Sequence, residues 1–141
     1  MDRRLDADRI ARVIGEINAD IIGLQELDSQ YHRKDGHNQF EYLAEATGLN
    51  AIYGPTIRNG DSHYGNGLFT SHKVLDVRRI DLSVRGREPR GAIDVDLDIE
   101  GKTVRVIVAH LGLRVSERRQ QVKRLREIVC EERNHLEVML G

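Results

Sequence analysis

The fold of this chain is decided by the stretch Ala19-Asp20-Ile21-Ile22-Gly23-Leu24-Gln25-Glu26-Leu27-Asp28. Residues 21–24 are apolar on both alternating faces, which predicts a strand that is buried on both sides and ends at Gln25 and Glu26. Upstream, Asp6 is a suitable N-cap for a helix. Apolar side chains at i, i+3, i+4 and i+7 predict that this α-helix ends near Asn18. These side chains are Ile10, Val13, Ile14 and Ile17. A helix followed by a buried strand favours a layered α/β fold.

Strands dominate the next part of the chain. A short helix around Phe40 ends at Gly48, and apolar runs predict strands over 51–53, 65–71, 74–82, 93–99 and 103–109. In the fourth of these strands, aspartates alternate with apolar residues, which predicts one solvated face. The Glu100-Gly101 turn joins that strand to the next as an antiparallel hairpin. A long charged helix over 116–132 and a strand over 136–140 follow.

Composition narrows the classes of function. The chain has 141 residues, of which 39% are hydrophobic and 32% charged, so we expect one folded domain over residues 1–141. Its 22 Lys and Arg against 23 Asp and Glu give a net charge of −1, so phosphate recognition must be local. A single cysteine excludes an internal disulfide, no secretory signal opens the chain and no apolar run spans a membrane, so a cytoplasmic location is expected.

Two polar residues stand where strands end. Glu26 follows the buried strand of the opening stretch, and His110 follows the strand over 103–109. The ends of strands are where α/β sheets gather ligands, and an imidazole there can exchange hydrogen bonds with a phosphate oxygen. With an ordinary pKa of ~6.5, His110 would need a neighbouring carboxylate to act as a good acid. From spacing alone, a solvated loop acid and a surface histidine remain alternatives for the two residues.

Asn66 and Arg90 are two further candidates, because each lies at the start of an apolar strand. An amide and a guanidinium could bind the two ends of a phosphodiester, whereas turn chemistry and a surface cation are the alternatives. The helix over 116–132 carries a basic cluster whose interleaved glutamates favour a solvated face over a nucleic-acid footprint. That cluster comprises Arg118, Arg119, Lys123, Arg124 and Arg126. No Walker-type phosphate loop, dinucleotide fingerprint or nucleophile elbow is present.

Taken in order, these motifs resemble the endonuclease/exonuclease/phosphatase superfamily. These metal-dependent phosphohydrolases include type I deoxyribonucleases, abasic-site endonucleases, inositol-polyphosphate phosphatases and neutral sphingomyelinases. Residues 19–28 look like the superfamily's ADIIGLQE segment, and residues 65–71 are similar to its GNALLS strand. Arg90-Gly91-Ala92 is similar to its RG strand entry, and Ala109-His110-Leu111 to its THL strand end. Glu117-Arg118-Arg119 and Gln121 match the start of the helix that follows.

The resemblance implies a partial four-layer α/β sandwich, in which two mixed β-sheets pack face to face with helices outside. It implies that Glu26 binds Mg²⁺ or Mn²⁺ and that the catalytic residues His110 and Asn66 contact the phosphate, with Arg90 a weaker candidate for the same contact. Glu26 and His110 would face one cleft, with Asn66 and Arg90 on its wall. The implied activity is hydrolysis of a phosphate ester carried by a small molecule, a lipid headgroup or a nucleic acid.

The superfamily's patterns also extend beyond those found here. Its members usually begin with a strand carrying a TYNI Asn and later contain DFN and SDH segments, and none of these is present. We therefore expect a core trimmed at both ends, with turnover near background and self-association through unpaired strands, residues 136–140 first. Two other hypotheses stay open. One is a non-catalytic or degenerate domain that binds a phosphate ligand or a partner chain, and the other is an α/β binding domain outside the superfamily.

Overall fold

The sequence patterns fold into three helices and seven strands within residues 3–28, 38–56, 64–130 and 136–141, which the computed structural model describes. In chain order they are α1 (Arg3–Ile17), β1 (Ile21–Asp28), α2 (Gln39–Thr47), β2 (Asn50–Pro55), β3 (Tyr64–Thr70), β4 (Lys73–Asp81), β5 (Gly91–Ile99), β6 (Lys102–Ala109), α3 (Val115–Cys130) and β7 (Leu136–Leu140). Each helix and strand predicted from the sequence is confirmed. Several boundaries differ by a few residues. The helix α1 begins at Arg3, so Asp6 lies inside it and is not its N-cap, and β1 does not end at Glu26 but continues to Asp28.

The strands form two sheets of different size. The smaller sheet has the order β1-β3-β2, and the larger sheet has the order β4-β5-β6-β7. The β5–β6 hairpin predicted at Glu100-Gly101 is present, with Ile99 paired to Lys102. We expected both sheets to be mixed. The larger sheet is mixed because β7 runs parallel to β6, whereas the three described strands of the smaller sheet are all antiparallel.

The two sheets pack face to face across an aliphatic core. From the smaller sheet, Ile52 and Leu68 meet the inward-facing residues of β5 and β6. Those residues are Ile93, Val95, Leu97, Val104, Val106 and Val108. A buried aliphatic side chain of this size contributes about 1.5–3 kcal/mol relative to an exposed one. The contact between the sheets is therefore a main source of the stability of the fold.

Helices cover the outer faces of both sheets. On the smaller sheet, Ile14 of α1 and Leu43 of α2 pack with Leu27 and Phe69. On the larger sheet, Leu125 of α3 packs with a second cluster, made of Leu82, Ala92, Ile107 and Ala109. The order of layers is helices, small sheet, large sheet, helix, which confirms the α/β sandwich. No helix among the described residues combines the length and apolar character needed to cross a bilayer.

The outer face of β5 corrects one prediction. Alternation along β5 predicted that Asp94, Asp96 and Asp98 face water, but the Asp94 side chain is fully buried. It accepts two hydrogen bonds from Arg105, at 2.9 and 2.6 Å, and two from Arg78, both at 3.1 Å. The neighbouring strands supply these arginines. An alternating pattern reports that one face of a strand is polar, and not whether that face is solvated.

The strands β1 and β7 lie at open edges of the two described sheets. They approach each other at one side of the sandwich, where a Cβ built on Gly23 would lie 3.2 Å from the Leu140 side chain. Leu136 and Met139 of β7 are exposed. An edge strand presents unpaired backbone groups that can pair with another chain, so self-association through β7 stays a prediction.

Candidate functional site

A β-bulge in β1 aims the Glu26 carboxylate away from the core. The pairing of β1 with β3 shifts register between Leu24 and Leu27, and Glu26 has the left-handed φ of 55°. The bulge returns Leu27 to the core while the Glu26 side chain stays 68% exposed. The preceding residue, Gln25, fixes this position by donating from Nε2 to the carbonyl oxygen of Ala109, at 2.9 Å. The end of β1 is thereby tied to the end of β6.

His110 follows β6 and lies directly opposite Glu26. Its Nε2 is 3.9 Å from Glu26 Oε1, and its Nδ1 is 3.4 Å from Arg90 Nη1. Its backbone N–H donates to the carbonyl oxygen of Gly91, at 3.4 Å. The expected proximity of Glu26 and His110 is confirmed by these distances. Residues 84 positions apart in sequence thus meet because β1 and β6 end at the same place.

The surroundings of His110 favour its neutral form. Burial lowers the pKa of the imidazole, the Arg90 charge lowers it further, and the opposing effects of Glu26 and Glu88 are smaller. His110 therefore has the neighbouring carboxylate that a good acid would require, but the pKa-raising effect of Glu26 is smaller than the pKa-lowering effects of burial and Arg90. A guanidinium can only donate hydrogen bonds, so Nδ1 facing Arg90 is the acceptor and Nε2 carries the proton. The ring thus presents an N–H donor on its Glu26 side.

Arg90 is buried beside His110 with part of its hydrogen-bonding capacity unused. The residue is only 8% exposed, and its Nη2 pairs with Glu88 Oε2 at 3.2 Å. Its Nε is buried and has no hydrogen-bond partner among the described residues. Buried donors are almost always paired in native proteins, and an unpaired one costs about 1–3 kcal/mol. A ligand that accepts hydrogen bonds would recover that energy.

Asn66 completes the wall of the cavity. It lies on β3 and is almost fully buried, and its Nδ2 donates to the carbonyl oxygen of Gly91 at 2.8 Å. The amide therefore ties β3 of the small sheet to the start of β5 in the large sheet. Gly65 before it is required by close packing, because a Cβ there would lie 2.5 Å from the carbonyl oxygen of Gly54. The backbone of β2 can approach only a glycine.

These side chains surround one cavity of about 220 Å³. The lining residues are Glu26, Thr56, Tyr64, Gly65, Asn66, Glu88, Pro89, Arg90 and His110. All four residues singled out from the sequence are among them, so the structure brings the whole set together. The geometry offers donors from a guanidinium and an imidazole at one wall and an exposed carboxylate at the rim. This combination suits an anion held next to a cation.

Three lining residues with polar side chains were not singled out by the sequence analysis, namely Thr56, Tyr64 and Glu88. Glu88 had a local signal, since it lies two residues before Arg90 and pairs with it. Thr56 and Tyr64 had none, because they meet only just beyond the β2–β3 ladder, where the Thr56 backbone N–H donates to the carbonyl oxygen of Tyr64 at 3.0 Å. The basic side chains of α3 do not line this cavity.

Comparison with known proteins identifies the family of this fold. The sequence model of the PGAP2IP C-terminal nuclease-like domain matches residues 2–141. The uncharacterized protein YbhP of Escherichia coli (strain K12) is 27% identical over 139 residues, which are 92% of this chain and 55% of YbhP. The chain thus spans about half the length of the curated relatives it matches.

Solved structures show the same fold at low identity. An endonuclease/exonuclease/phosphatase family protein from Leptotrichia buccalis aligns with a TM-score of 0.76 and 20% identity, over 99% of this chain and 61% of that one. The mannosyl-6-phosphatase Bt3783 of Bacteroides thetaiotaomicron aligns with a TM-score of 0.76 and 16% identity, over 94% and 54%. Truncated TDP2 from Caenorhabditis elegans gives 0.67 and 18%, over 93% and 52%. The chain therefore belongs to the PGAP2IP C-terminal nuclease-like domain family, within the endonuclease/exonuclease/phosphatase superfamily.

Proposed function

We propose that the cavity binds the phosphate group of a phosphate ester and that the site serves metal-dependent hydrolysis of that ester. The observation that carries the proposal is the buried Arg90 guanidinium, whose Nε lacks a partner among the described residues and which lies beside the neutral ring of His110. A phosphate has several strong acceptor oxygens, and guanidinium groups bind them with good geometry. The superfamily relatives, a phosphatase and a nuclease-like domain among them, point to the same chemistry.

Each wall residue has a distinct role in holding the phosphate. Arg90 donates from its guanidinium and balances the negative charge, and His110 donates from Nε2–H. Asn66 fixes the backbone at Gly91 through its bond to that carbonyl and keeps both sheets in register around the ligand. A cavity of about 220 Å³ is small for a drug-sized ligand, so it accommodates the phosphate end of the substrate.

The donor set of this chain fits one side of a magnesium site. Mg²⁺ is commonly held by one or two carboxylates together with waters and substrate phosphates. Glu26 provides such a carboxylate, exposed at the rim and with no partner nearer than the 3.9 Å contact to His110 in the described residues. Among those residues, no group of three His, Cys, Asp or Glu side chains could hold a metal by itself. When bound by Glu26 and a phosphate oxygen, Mg²⁺ or Mn²⁺ would neutralise charge that develops in hydrolysis.

A second function is favoured by the state of His110. A general base must offer a lone pair to the attacking water, but Nδ1 faces Arg90 and Nε2 carries the proton. Asp94 cannot serve either, because it is buried in ion pairs on the outer face of the large sheet. Binding of a phosphate ligand without turnover is therefore the alternative to hydrolysis.

Binding and turnover measured on the same chain test the proposal. We expect calorimetry to show saturable binding of p-nitrophenyl phosphate that strengthens with Mg²⁺, and we expect E26Q to abolish the magnesium effect while phosphate binding persists. Release of p-nitrophenolate above background that E26Q and a chelator both abolish supports hydrolysis. Binding without release supports the alternative function. Absence of saturable binding contradicts both.

A further inference from the structure

A second surface, on α3, combines positive charge with exposed apolar side chains. Residues 114–126 contain six arginines or lysines and one acidic residue, Glu117, which is buried. The whole chain carries a net charge of only −1, so the positive charge is concentrated on this segment. Such a local excess creates an electrostatic field that the overall composition conceals.

Exposed apolar side chains lie on this helix and just before it, among the cations in sequence. Leu113 is 82% exposed, Val115 57% and Val122 49%. A shallow groove of about 470 Å³ runs along this face, lined by Leu111, Val115, Arg118, Arg119, Val122, Lys123 and Arg126. Glu117, Gln121 and Leu125 are buried against the sheet, so the helix presents its basic and apolar stripe outward. We name Leu113, Val115, Val122 and the cations Arg114, Arg119, Lys123 and Arg126 the α3 patch.

Most of the cations in the α3 patch are not neutralised by the protein. Lys123 has a weak exposed pairing with Glu127, at 3.9 Å. Within the described part of the chain, Arg114, Arg119 and Arg126 have no ion pair. Arg118 differs, because its Nη1 donates to the carbonyl oxygens of Gly112 and Leu113 and orders the turn before the helix. The charge of the patch therefore remains available to a partner.

We propose that the α3 patch docks this protein onto anionic lipid bilayers. A helix that carries arginine and lysine on one side of an apolar stripe suits the membrane interface, where the cations meet lipid phosphates and the apolar side chains enter the acyl boundary. A nucleic acid would satisfy the cations but would leave Leu113, Val115 and Val122 in water. The exposed aliphatic side chains therefore favour a lipid surface.

The patch adjoins the phosphate-binding cavity. His110 lines the cavity, and the next residue, Leu111, lines the groove of the patch. Docking through α3 would thus bring the end of β6 towards the headgroup layer. The proposal concerns binding alone and does not depend on hydrolysis, so each can fail without the other.

Vesicle sedimentation tests the proposal on the full chain. We expect the protein to sediment with vesicles of equimolar phosphatidylcholine and phosphatidylserine, to remain in solution with phosphatidylcholine alone, and to be released by salt. The double variant R119E/R126E should bind roughly tenfold more weakly or worse. R119K/R126K and the charge-matched control R9E/K102E, altered outside the patch, should bind like the wild type.

The apolar part of the patch is tested separately. We expect L113S/V122S, both on exposed positions, to weaken vesicle binding with circular dichroism unchanged. Three results would overturn the proposal: no sedimentation with anionic vesicles, equal binding to neutral vesicles, or equal loss in R9E/K102E. Duplex DNA binding that matches vesicle binding and is insensitive to L113S/V122S would overturn it in favour of a polyanion-binding surface. Salt release of the unmodified chain provides a measurement that does not depend on any variant folding.

Discussion

Two regions of the molecule place arginines beside carboxylates and differ in whether each buried arginine nitrogen faces a carboxylate. In the first, which we call the buried ion cluster, each Asp94 oxygen accepts one bond from Arg78 and one from Arg105, and the remaining buried nitrogen of Arg105, Nη1, pairs with Glu137 Oε1 at 3.5 Å. In the cavity, Arg90 retains a buried Nε without a partner among the described residues. A satisfied ion pair holds a structure together, whereas an unsatisfied one has affinity left for a ligand. Charge alone therefore does not distinguish a site from a scaffold.

The largest effect is expected in the buried ion cluster. Asp94→Ala leaves two arginine side chains without their carboxylate, so we expect the free energy of unfolding to fall by about 3–5 kcal/mol. Urea denaturation measures this loss. Asp76→Ala is the matched control, since Asp76 pairs with the same Arg78 but is exposed, and it should change stability by at most about 1 kcal/mol. Equal losses in the two variants would show that burial adds nothing to the cluster.

Replacing Arg90 and Arg78 in separate variants distinguishes an arginine that binds phosphate from one that stabilises the fold. Arg90→Met keeps the length of the side chain and removes its charge, so phosphate binding should weaken roughly tenfold or more, as expected for a charge-assisted hydrogen bond of about 1.5–3 kcal/mol. Arg78→Met should lower stability and leave phosphate affinity unchanged. Calorimetry and urea denaturation on both variants measure the two effects. If both variants lose phosphate binding alike, the distinction between the regions fails.

The pH dependence of stability tests the neutral state of His110. Because burial and Arg90 lower its folded-state pKa, the unfolded chain takes up a proton first as the pH falls below ~6.5. The contribution of this group to stability is intact above ~6.5 and is lost as the pH falls through the folded-state pKa. We therefore expect His110→Gln to lose less stability on acidification than the wild type does. His72→Gln is the control for a histidine outside the cavity, and a result identical to that of H110Q would refute the assignment.

The smallest effect concerns the bulge at Glu26. A left-handed φ costs an ordinary residue roughly 1–2 kcal/mol, whereas glycine adopts it freely but adds about 0.5–1 kcal/mol of unfolded-state entropy. We therefore expect Glu26→Gly to stabilise the protein by up to about 1 kcal/mol. Glu26→Gln keeps the left-handed backbone strain and should leave stability unchanged. Thermal unfolding of the Glu26→Gly and Glu26→Gln variants therefore measures the contribution of the backbone conformation alone. Marked destabilisation by E26G would mean that the side chain itself supports the fold.

The sequence predicts the layers of this fold well because its periodic signals are strong. The doubly apolar run of β1 and the alternation of β5 are enough to assign strands. Burial was predicted less well, because residues 21–24 are only partly buried on an edge strand and Asp94 is buried on the outer face of β5. The bulge in β1 could not be predicted, since Gln25 and Glu26 look like the polar end of a strand. The burial of Asp94 could not be predicted either, because it depends on the register that brings Arg78 opposite it.

Only part of the candidate site could be predicted from the sequence. Glu26 and His110 could be found because polar residues that follow buried strands stand out locally. Their 3.9 Å approach, the orphaned Arg90 Nε and the neutral state of His110 depend on how the two sheets pack. Thr56 and Tyr64 carry no local signal at all. Helices and strands can be predicted from local sequence patterns, whereas the electrostatics of a cavity depend on tertiary contacts.

We propose that phosphate in solution binds in the cavity through Arg90. Nuclear magnetic resonance of the nitrogen-15-labelled chain during titration with inorganic phosphate tests this binding, because the Nε–H signals of individual arginines can be followed. We predict a saturable shift of the Arg90 Nε–H and of the His110 ring nitrogens, with the Arg78 and Arg105 signals unchanged. A titration that shifts the α3 arginines while the Arg90 signal stays unmoved would show that phosphate does not bind in the cavity.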